Sequence, residues 1–363
     1  PHGGVTMTDN KSTIAEISAG RGALVVLFMA TMIDMIGFGI VIPFLTYLVE
    51  DLAADQGIKE VGLWVGLLMT SYSAAQFLFS PFWGSVSDKI GRRPVLMIGL
   101  VGNTVFFTMF GLANTLLIAL TARFMAGVFN GNLAVARAYI GDVSTPSQLT
   151  TRMGLIGAAF GLGFTIGPFI GGELSNPAER WDIFIDTVFE TYPYLLPCIA
   201  AGGLSLVSLI YAYFYLPESL PKSERSKGDS ISWLTRINNS FKQSYSMLNR
   251  GIISTIIWAT MLFIFGFTIM HAVFILYTGM PVTDGGLGYN EAQNGRIFAV
   301  IGISGILTQA FLMGPLSRYF GPAKLLTLSC LLTGIGLVLI PYTQEEYALI
   351  QLVICAIIIS IGS

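Results

Sequence analysis

Charge is what this sequence has least of. Of its 363 residues, 19 are Lys or Arg and 21 are Asp or Glu, which makes 11% charged, against about 25% in a soluble domain. Long stretches carry no charge at all, while 53% of the residues are hydrophobic. That excludes an ordinary soluble globular protein and leaves lipid as the solvent able to accept most of the surface. Histidine is almost missing, with only His2 and His271 present. HExxH, the phosphate-binding GxxxxGK, GxGxxG and GxSxG are missing too, so the usual signatures of metal hydrolysis, nucleotide binding and acyl transfer are lacking. An enzyme is not expected and no cofactor or metal is implied. The three cysteines, Cys198, Cys330 and Cys355, lie in apolar stretches without CxxC spacing and read as small buried hydrophobes. A net charge of −2, with no basic run interleaved with aromatics, gives no case for nucleic acid as a partner.

What is present is a series of apolar runs. A helix crossing the ~30 Å hydrocarbon layer needs about 20 apolar residues. Such runs fall near 23–49, 62–83, 95–113, 115–137, 152–172 and 194–216, then near 251–278, 293–313, 325–343 and 346–363. Residues 1–22 are a polar N-terminal segment, and the run that follows is too long for the core of a signal peptide. Residues 217–250 form a hydrophilic central loop with Lys222, Arg225, Lys227, Arg236, Lys242 and Arg250. With the N-terminus in the cytoplasm, fifteen Lys or Arg residues fall on the inner side, whereas the outer loops hold only Lys59 and Arg180 among many acids. The positive-inside rule fixes that orientation.

The two groups of spans repeat each other. Gly84-Ser-Val-Ser-Asp88-Lys-Ile-Gly91-Arg-Arg-Pro94 follows the second span, and Gly314-Pro-Leu-Ser-Arg318-Tyr-Phe-Gly321-Pro-Ala-Lys324 follows the eighth, with first glycines 230 residues apart. Gly37-Phe38 and Gly266-Phe267 are offset by 229 residues. Two markers with one offset indicate parallel halves of six helices each, as in internally duplicated transporters. Only four spans begin in the second half, 251–363, so the expectation is a C-terminal half cut short after about four helices, with Met7 as the candidate start residue.

Four motifs sit on this frame. The loop Gly84-x-x-x-Asp88-Lys89-x-Gly91-Arg92-Arg93 is a tight turn that calls for glycine at close backbone approaches, with a carboxylate and a guanidinium held together at the membrane surface. A solvated Asp in a basic anchor is the plainer alternative. In the first span, Asp34-Met-Ile-Gly37-Phe-Gly39-Ile-Val-Ile-Pro43 contains the only acid deep in any span. An unpaired carboxylate there costs at least ~2.5–3.5 kcal/mol, so Asp34 should face a cavity. In the fourth span, Arg123-Phe-Met-Ala-Gly127-Val-Phe-Asn130-Gly131 puts glycines four apart on one face beside the sole base. At 1.5 Å per residue, Asp34 lies about 17 Å from one surface and Arg123 about 12 Å from the other. The shared depth suggests partners, either for coupling or as a structural ion pair. The fifth span, Gly154-Leu-Ile-Gly157 through Gly161, Gly163, Gly167-Pro168 to Gly171-Gly172, has a bare face of glycines and a proline that removes a helical hydrogen bond.

Together these motifs resemble the major facilitator superfamily, in its proton-coupled drug-efflux branch that includes the tetracycline antiporters, over essentially the whole chain from about residue 23. The resemblance implies an all-α polytopic membrane protein of two six-helix halves in the plasma or inner membrane. It implies that Gly84, Asp88, Lys89, Gly91, Arg92 and Arg93 form a gating motif joined by Asp142, and that Asp34 and Arg123 couple transport to protons. Gly163, Gly167, Pro168, Gly171 and Gly172 match its antiporter helix motif. Gln76, with Tyr72 one turn away, is a candidate for the substrate cavity because the second helix borders it in this fold. The expected function is export of small amphipathic compounds by proton antiport with alternating access. The expected partners are a small-molecule substrate, protons and the bilayer, and the expected state is a monomer. A nutrient symporter or uniporter on the same fold and a non-transporting receptor or scaffold are the alternatives. Two departures stand out: the second-half loop carries Arg318 where the first has Asp88, and the connection from Glu173 to Tyr192 is long and acidic. His271, near the outer end of its span, reads as an interfacial residue.

Overall fold

A computed structural model of the chain describes residues 7–223, 251–312, 322–343 and 347–362, together with 225, 235, 242, 246, 315, 316 and 319. The His271 side chain and most of the second-half loop from Gly314 to Gly321 lie outside the described residues, as does most of the central loop. Apolar runs with no water to satisfy their backbone fold as helices, because only the helix pairs every N–H and C=O within its own segment. In chain order these are α1 (Met7–Asp55), α2 (Val61–Ile90), α3 (Arg92–Gly111), α4 (Leu116–Phe129), α5 (Asn132–Val143), α6 (Pro146–Leu174) and α7 (Leu195–Tyr215), followed by α8 (Gly251–Gly279), α9 (Glu291–Leu307), α10 (Pro322–Leu339) and α11 (Ala348–Gly362). Among the described residues, six segments are long and apolar enough to cross a membrane, the first starting at Gly22 and the fourth combining α4 and α5. Leu117, Val207, Phe214, Leu262 and Phe265 are more than half exposed on the outside of the bundle. Lipid, not water, is the solvent that fits such a surface.

The boundaries differ from the sequence expectation in two instructive places. Helix α1 reaches back to Met7 through the polar segment, since extending an existing helix avoids the nucleation penalty of starting one. The fourth span is broken at Asn130 and Gly131. Trp83 Nε1 donates to the Val128 carbonyl at 2.5 Å and Gln76 Nε2 to the Asn130 carbonyl at 3.2 Å, so side chains of α2 satisfy acceptors at the break. Glycine is needed at 131 because a Cβ would strike the Trp83 ring.

The first half packs around two apolar clusters, one containing Phe44, Leu45, Phe107 and Phe110 and the other Leu27, Leu96, Leu100 and Tyr139. A third, with Phe274, Ile297, Phe298 and Leu352, belongs to the second half but takes in Ile42 of α1.

Helix α6 governs how the halves meet. A Cβ at Gly163 would lie 2.5 Å from Met35 Cβ, one at Gly167 would lie 2.7 Å from the Ile36 carbonyl oxygen, and one at Gly171 would run into the Ile40 carbonyl. Gly172 and Gly295 meet across the halves, where a Cβ on the first would strike the Glu291 carbonyl and one on the second would sit 2.6 Å from the Pro168 carbonyl. Halfway along, Thr165 fills the space over Gly302. Beyond that point Gly154, Gly157, Gly161 and Gly305 have nothing within 4 Å of a built Cβ. The halves are thus in backbone contact at the Glu291 end, and this contact gives way to open space toward the Arg92 end. Overpacking at a site walled by backbone costs about 1–3 kcal/mol, while filling open space costs little. Gly171→Ala should therefore lower the thermal unfolding midpoint in detergent and Gly157→Ala should leave it unchanged, as scanning fluorimetry would measure.

Candidate functional site

At the Arg92 end, α2 stops at Gly91, whose φ of 109° lies in the region glycine favours. The chain turns at once into α3, and Arg92 becomes the hub of the turn. Its Nη1 donates to Asp88 Oδ1 and to Ser87 Oγ, both at 2.6 Å, and its Nε donates to Asp142 Oδ2 at 3.1 Å, so one guanidinium ties α2 to the end of α5. Its backbone N–H donates to Glu218 Oε1 at 2.8 Å, and Glu218 pairs with Arg225 at 3.5 Å. Ser219 Oγ donates to Asp142 at 3.0 Å. The expected trio of Asp88, Arg92 and Asp142 is brought together. Gly84 corrects the expectation of a close approach, because open space surrounds it, and the tight contact falls on Gly91, where a Cβ would meet Glu218. Lys89 is exposed. Arg93 turns away from the network, donating from Nη2 to the Tyr213 carbonyl at 2.5 Å.

Midway along the first half lies a buried polar group. Asp34 and Arg123 are each 3% exposed. They do not pair: among the described residues neither belongs to an ion pair. Asn103 Nδ2 donates to Asp34 Oδ1 at 2.8 Å, and Asn132 lies beside the same carboxyl. The Arg123 guanidinium rests on ring faces, 4.5 Å from the Tyr72 centroid and 5.7 Å from that of Phe110. Such cation–π contacts strengthen when desolvated. The pairing expected from their shared depth is therefore not made in this conformation. Tyr72, on whose ring the guanidinium rests, lies within electrostatic reach of both charges. It is 1% exposed, so it packs inside the bundle rather than lining a cavity, and its hydroxyl accepts from Asn130 Nδ2. Gln76 is half-buried and occupied at the break in the fourth span.

At the opposite end the halves are stitched by polar contacts. Tyr47 Oη donates to the Tyr289 carbonyl at 2.6 Å and accepts from Asn294 Nδ2 at 2.8 Å. Asn176 Nδ2 donates to Glu291 Oε1 at 2.9 Å, and Arg296 Nε reaches Glu173 Oε1 at 2.5 Å. The Tyr194 hydroxyl sits between Asp51 at 3.0 Å and Glu291 at 3.3 Å, and burial together with those carboxylates pushes its own ionisation far up. The long acidic connection after α6 thus supplies half of the junction.

A family profile described as Major Facilitator Superfamily matches residues 27–363. The chain belongs to the Major Facilitator Superfamily. It is 29% identical over 298 residues to "Protein ZINC INDUCED FACILITATOR 1" of Arabidopsis thaliana, covering 77% of this chain and 61% of that protein. It is 29% identical over 332 residues to "Tetracycline resistance protein, class C" of Escherichia coli, covering 90% of this chain and 75% of that one. The crystal structure of the human organic anion transporter MFSD10 (TETRAN) superposes with a TM-score of 0.63 at 20% identity, covering 94% of this chain and 85% of that one. That likeness is one of fold. The chain spans about three-fifths of the length of the plant relatives it matches.

As a member of this superfamily the chain is an integral membrane protein with apolar spanning helices. Several of its site residues carry no signal in the sequence. Glu218 and Asn294 are single polar residues with no motif around them, and Glu218 acquires its place only when α7 ends beside the Gly91 turn. Removing Arg92 would strand two carboxylates, one of them, on Asp88, 41% exposed and therefore partly screened. Arg92→Ala should cost on the order of 1–2 kcal/mol of stability and Lys89→Ala close to nothing, as thermal unfolding of the purified variants would measure.

Proposed function

We propose that this protein is a secondary active transporter that exports small amphipathic compounds by proton antiport, alternating access between its two halves. The observation that carries this reading is the asymmetry of the junction: backbone contact along α6 and α9 at the Glu291 end, and open space along the same two helices toward the Arg92 end. Two bodies that share one contact can rock about it, which is the motion alternating access needs. The Arg92 end is assigned to the cytoplasm by the distribution of Lys and Arg, so the described conformation opens inward. The plasma or inner membrane is the assigned location, and a monomer with a small-molecule substrate and no nucleic acid or cofactor is the assigned working unit. The direction of transport is supported by relatives named for tetracycline resistance and efflux.

Asp34 supplies the coupling. It is a carboxyl buried in the first half and held by amides of α3 and α5, so its protonation bears on how α1 sits on those two helices. Antiport requires only that it hold its proton more tightly in one conformation than in the other. The partner in this conformation is Asn103, and Tyr72, on whose ring Arg123 rests, lies within electrostatic reach of Asp34. Protonation therefore alters the polar cluster at the face of α1 opposite α6, and the Arg92 hub holds the inner ends of α2, α3 and α5 as one body during the change.

The test uses the complete protein in vesicles with a fluorescent amphipathic cation as probe, with and without an imposed pH gradient. Wild type should accumulate the probe only with the gradient. Asp34→Asn, which cannot carry the titrating proton, should lose gradient-driven accumulation while retaining downhill exchange. Full accumulation by Asp34→Asn would overturn the assignment of the coupling site. Gradient-independent equilibration by wild type would replace antiport with uniport.

A further inference from the structure

The outer surface of the first half carries a groove that the transport reading leaves unused. It runs between α3 and α7, encloses about 1060 Å³, and is lined on one side by Pro94, Met97, Ile98, Val101 and Val105. These α3 positions recur every three to four residues and so form one stripe. Leu209, Ile210, Tyr213 and Phe214 of α7 form the other wall. Its floor is Phe129 of α4, which packs 5.4 Å from Phe106 and lies directly over Gly102, where any side chain would collide with it. The floor therefore exists because residue 102 is glycine. From Arg93 to Phe106 the groove extends about 20 Å along the helix axis, somewhat more than the ~15 Å depth of one leaflet.

One end of this otherwise apolar channel is charged. Arg93 lines it, with its guanidinium 5.8 Å from the centroid of the Tyr213 ring and Nη2 bonded to the Tyr213 carbonyl. Its Nε is buried and has no hydrogen-bond acceptor among the described residues. No carboxylate pairs with Arg93 among the described residues, because the nearby acids Asp88 and Asp142 are taken by Arg92 and Glu218 is taken by Arg225. Arg93 also stands at the first turn of α3, at the level where the spanning segment meets the headgroups. An apolar slot one leaflet deep, ending at headgroup height in a guanidinium without a carboxylate partner among the described residues, is complementary to an amphiphile with an acyl chain and an anionic head.

We propose that this groove is a binding site for an anionic phospholipid, with one acyl chain along α3 and α7 and the phosphate on Arg93. The chain's burial is driven by packing against Val101, Val105, Ile210 and Phe214, and the head is selected by charge-assisted hydrogen bonding from the guanidinium. The site lies on the opposite side of α3 from Asp34 and does not depend on the proton-antiport reading.

Native mass spectrometry of the purified full chain tests it, with detergent micelles doped with equal amounts of phosphatidylglycerol and phosphatidylcholine of identical chains. Wild type should retain one phosphatidylglycerol in preference to phosphatidylcholine by roughly tenfold, the factor of a single charge-assisted contact. Arg93→Gln should bring that preference to near unity while still binding either lipid, and Val101→Trp, which fills the groove, should lose both. Lys222→Gln, an exposed base outside the groove, should behave as wild type. Circular dichroism confirms that each variant remains helical. Three results overturn the proposal: an unchanged preference in Arg93→Gln, the same loss in Lys222→Gln, or a wild-type dimer that Val101→Trp dissociates, which would make the groove an interface between copies.

Discussion

The structure depends on backbone meeting backbone along α6. Gly163, Gly167 and Gly171 bring this helix against α1 within the first half, and Gly172 brings it against Gly295 of α9 in the second. Helices in lipid gain nothing from hiding apolar surface, so association rests on close packing, which small residues permit. One helix therefore belongs to both halves at its Glu291 end. Its opposite end, with Gly154, Gly157 and Gly161, faces open space and leaves the halves free of each other there. The polar stitches around Glu291, Tyr47 and Glu173 reinforce a contact that the glycines make geometrically attainable.

Much of this could be read from the residues because the constraints are local. Apolar run length gave the spans, and the glycine periodicity gave the bare face of α6. Spacing alone also put Asp88 and Arg92 on one turn. The relation between Asp34 and Arg123 could not be read in this way. Depth follows from counting residues, but the direction a side chain points depends on helix rotation, and that is set by the packing of neighbours. Here the packing turns the Arg123 guanidinium onto the Tyr72 ring and the Asp34 carboxyl onto Asn103. The break at Asn130 was hidden for a similar reason: its freed carbonyls are satisfied by Gln76 and Trp83, which lie more than forty residues away in sequence.

The Gly91 turn shows how one motif divides its labour. Gly91 supplies the backbone conformation, Arg92 ties three elements together, and Arg93, the next residue, turns to the groove between α3 and α7. Adjacent bases on a helix lie about 100° apart, so a pair of arginines at a helix start necessarily serves two surfaces. One surface is the interior of the first half and the other is the groove floored by Phe129.

The central claim is that the halves rock about the α6–α9 contact. Electron–electron distance measurements test it most directly, on the full-length protein with Cys330 replaced by serine. One spin-label pair would sit at Ser147 and Tyr319, exposed at the Arg92 end, and a second at Ile183 and Val282, exposed at the other end. As the pH is shifted so that Asp34 changes protonation, the expected outcome is that the Ser147–Tyr319 separation shortens while the Ile183–Val282 separation lengthens. Separations that move in the same direction, or that both remain fixed, would contradict rocking about a shared contact.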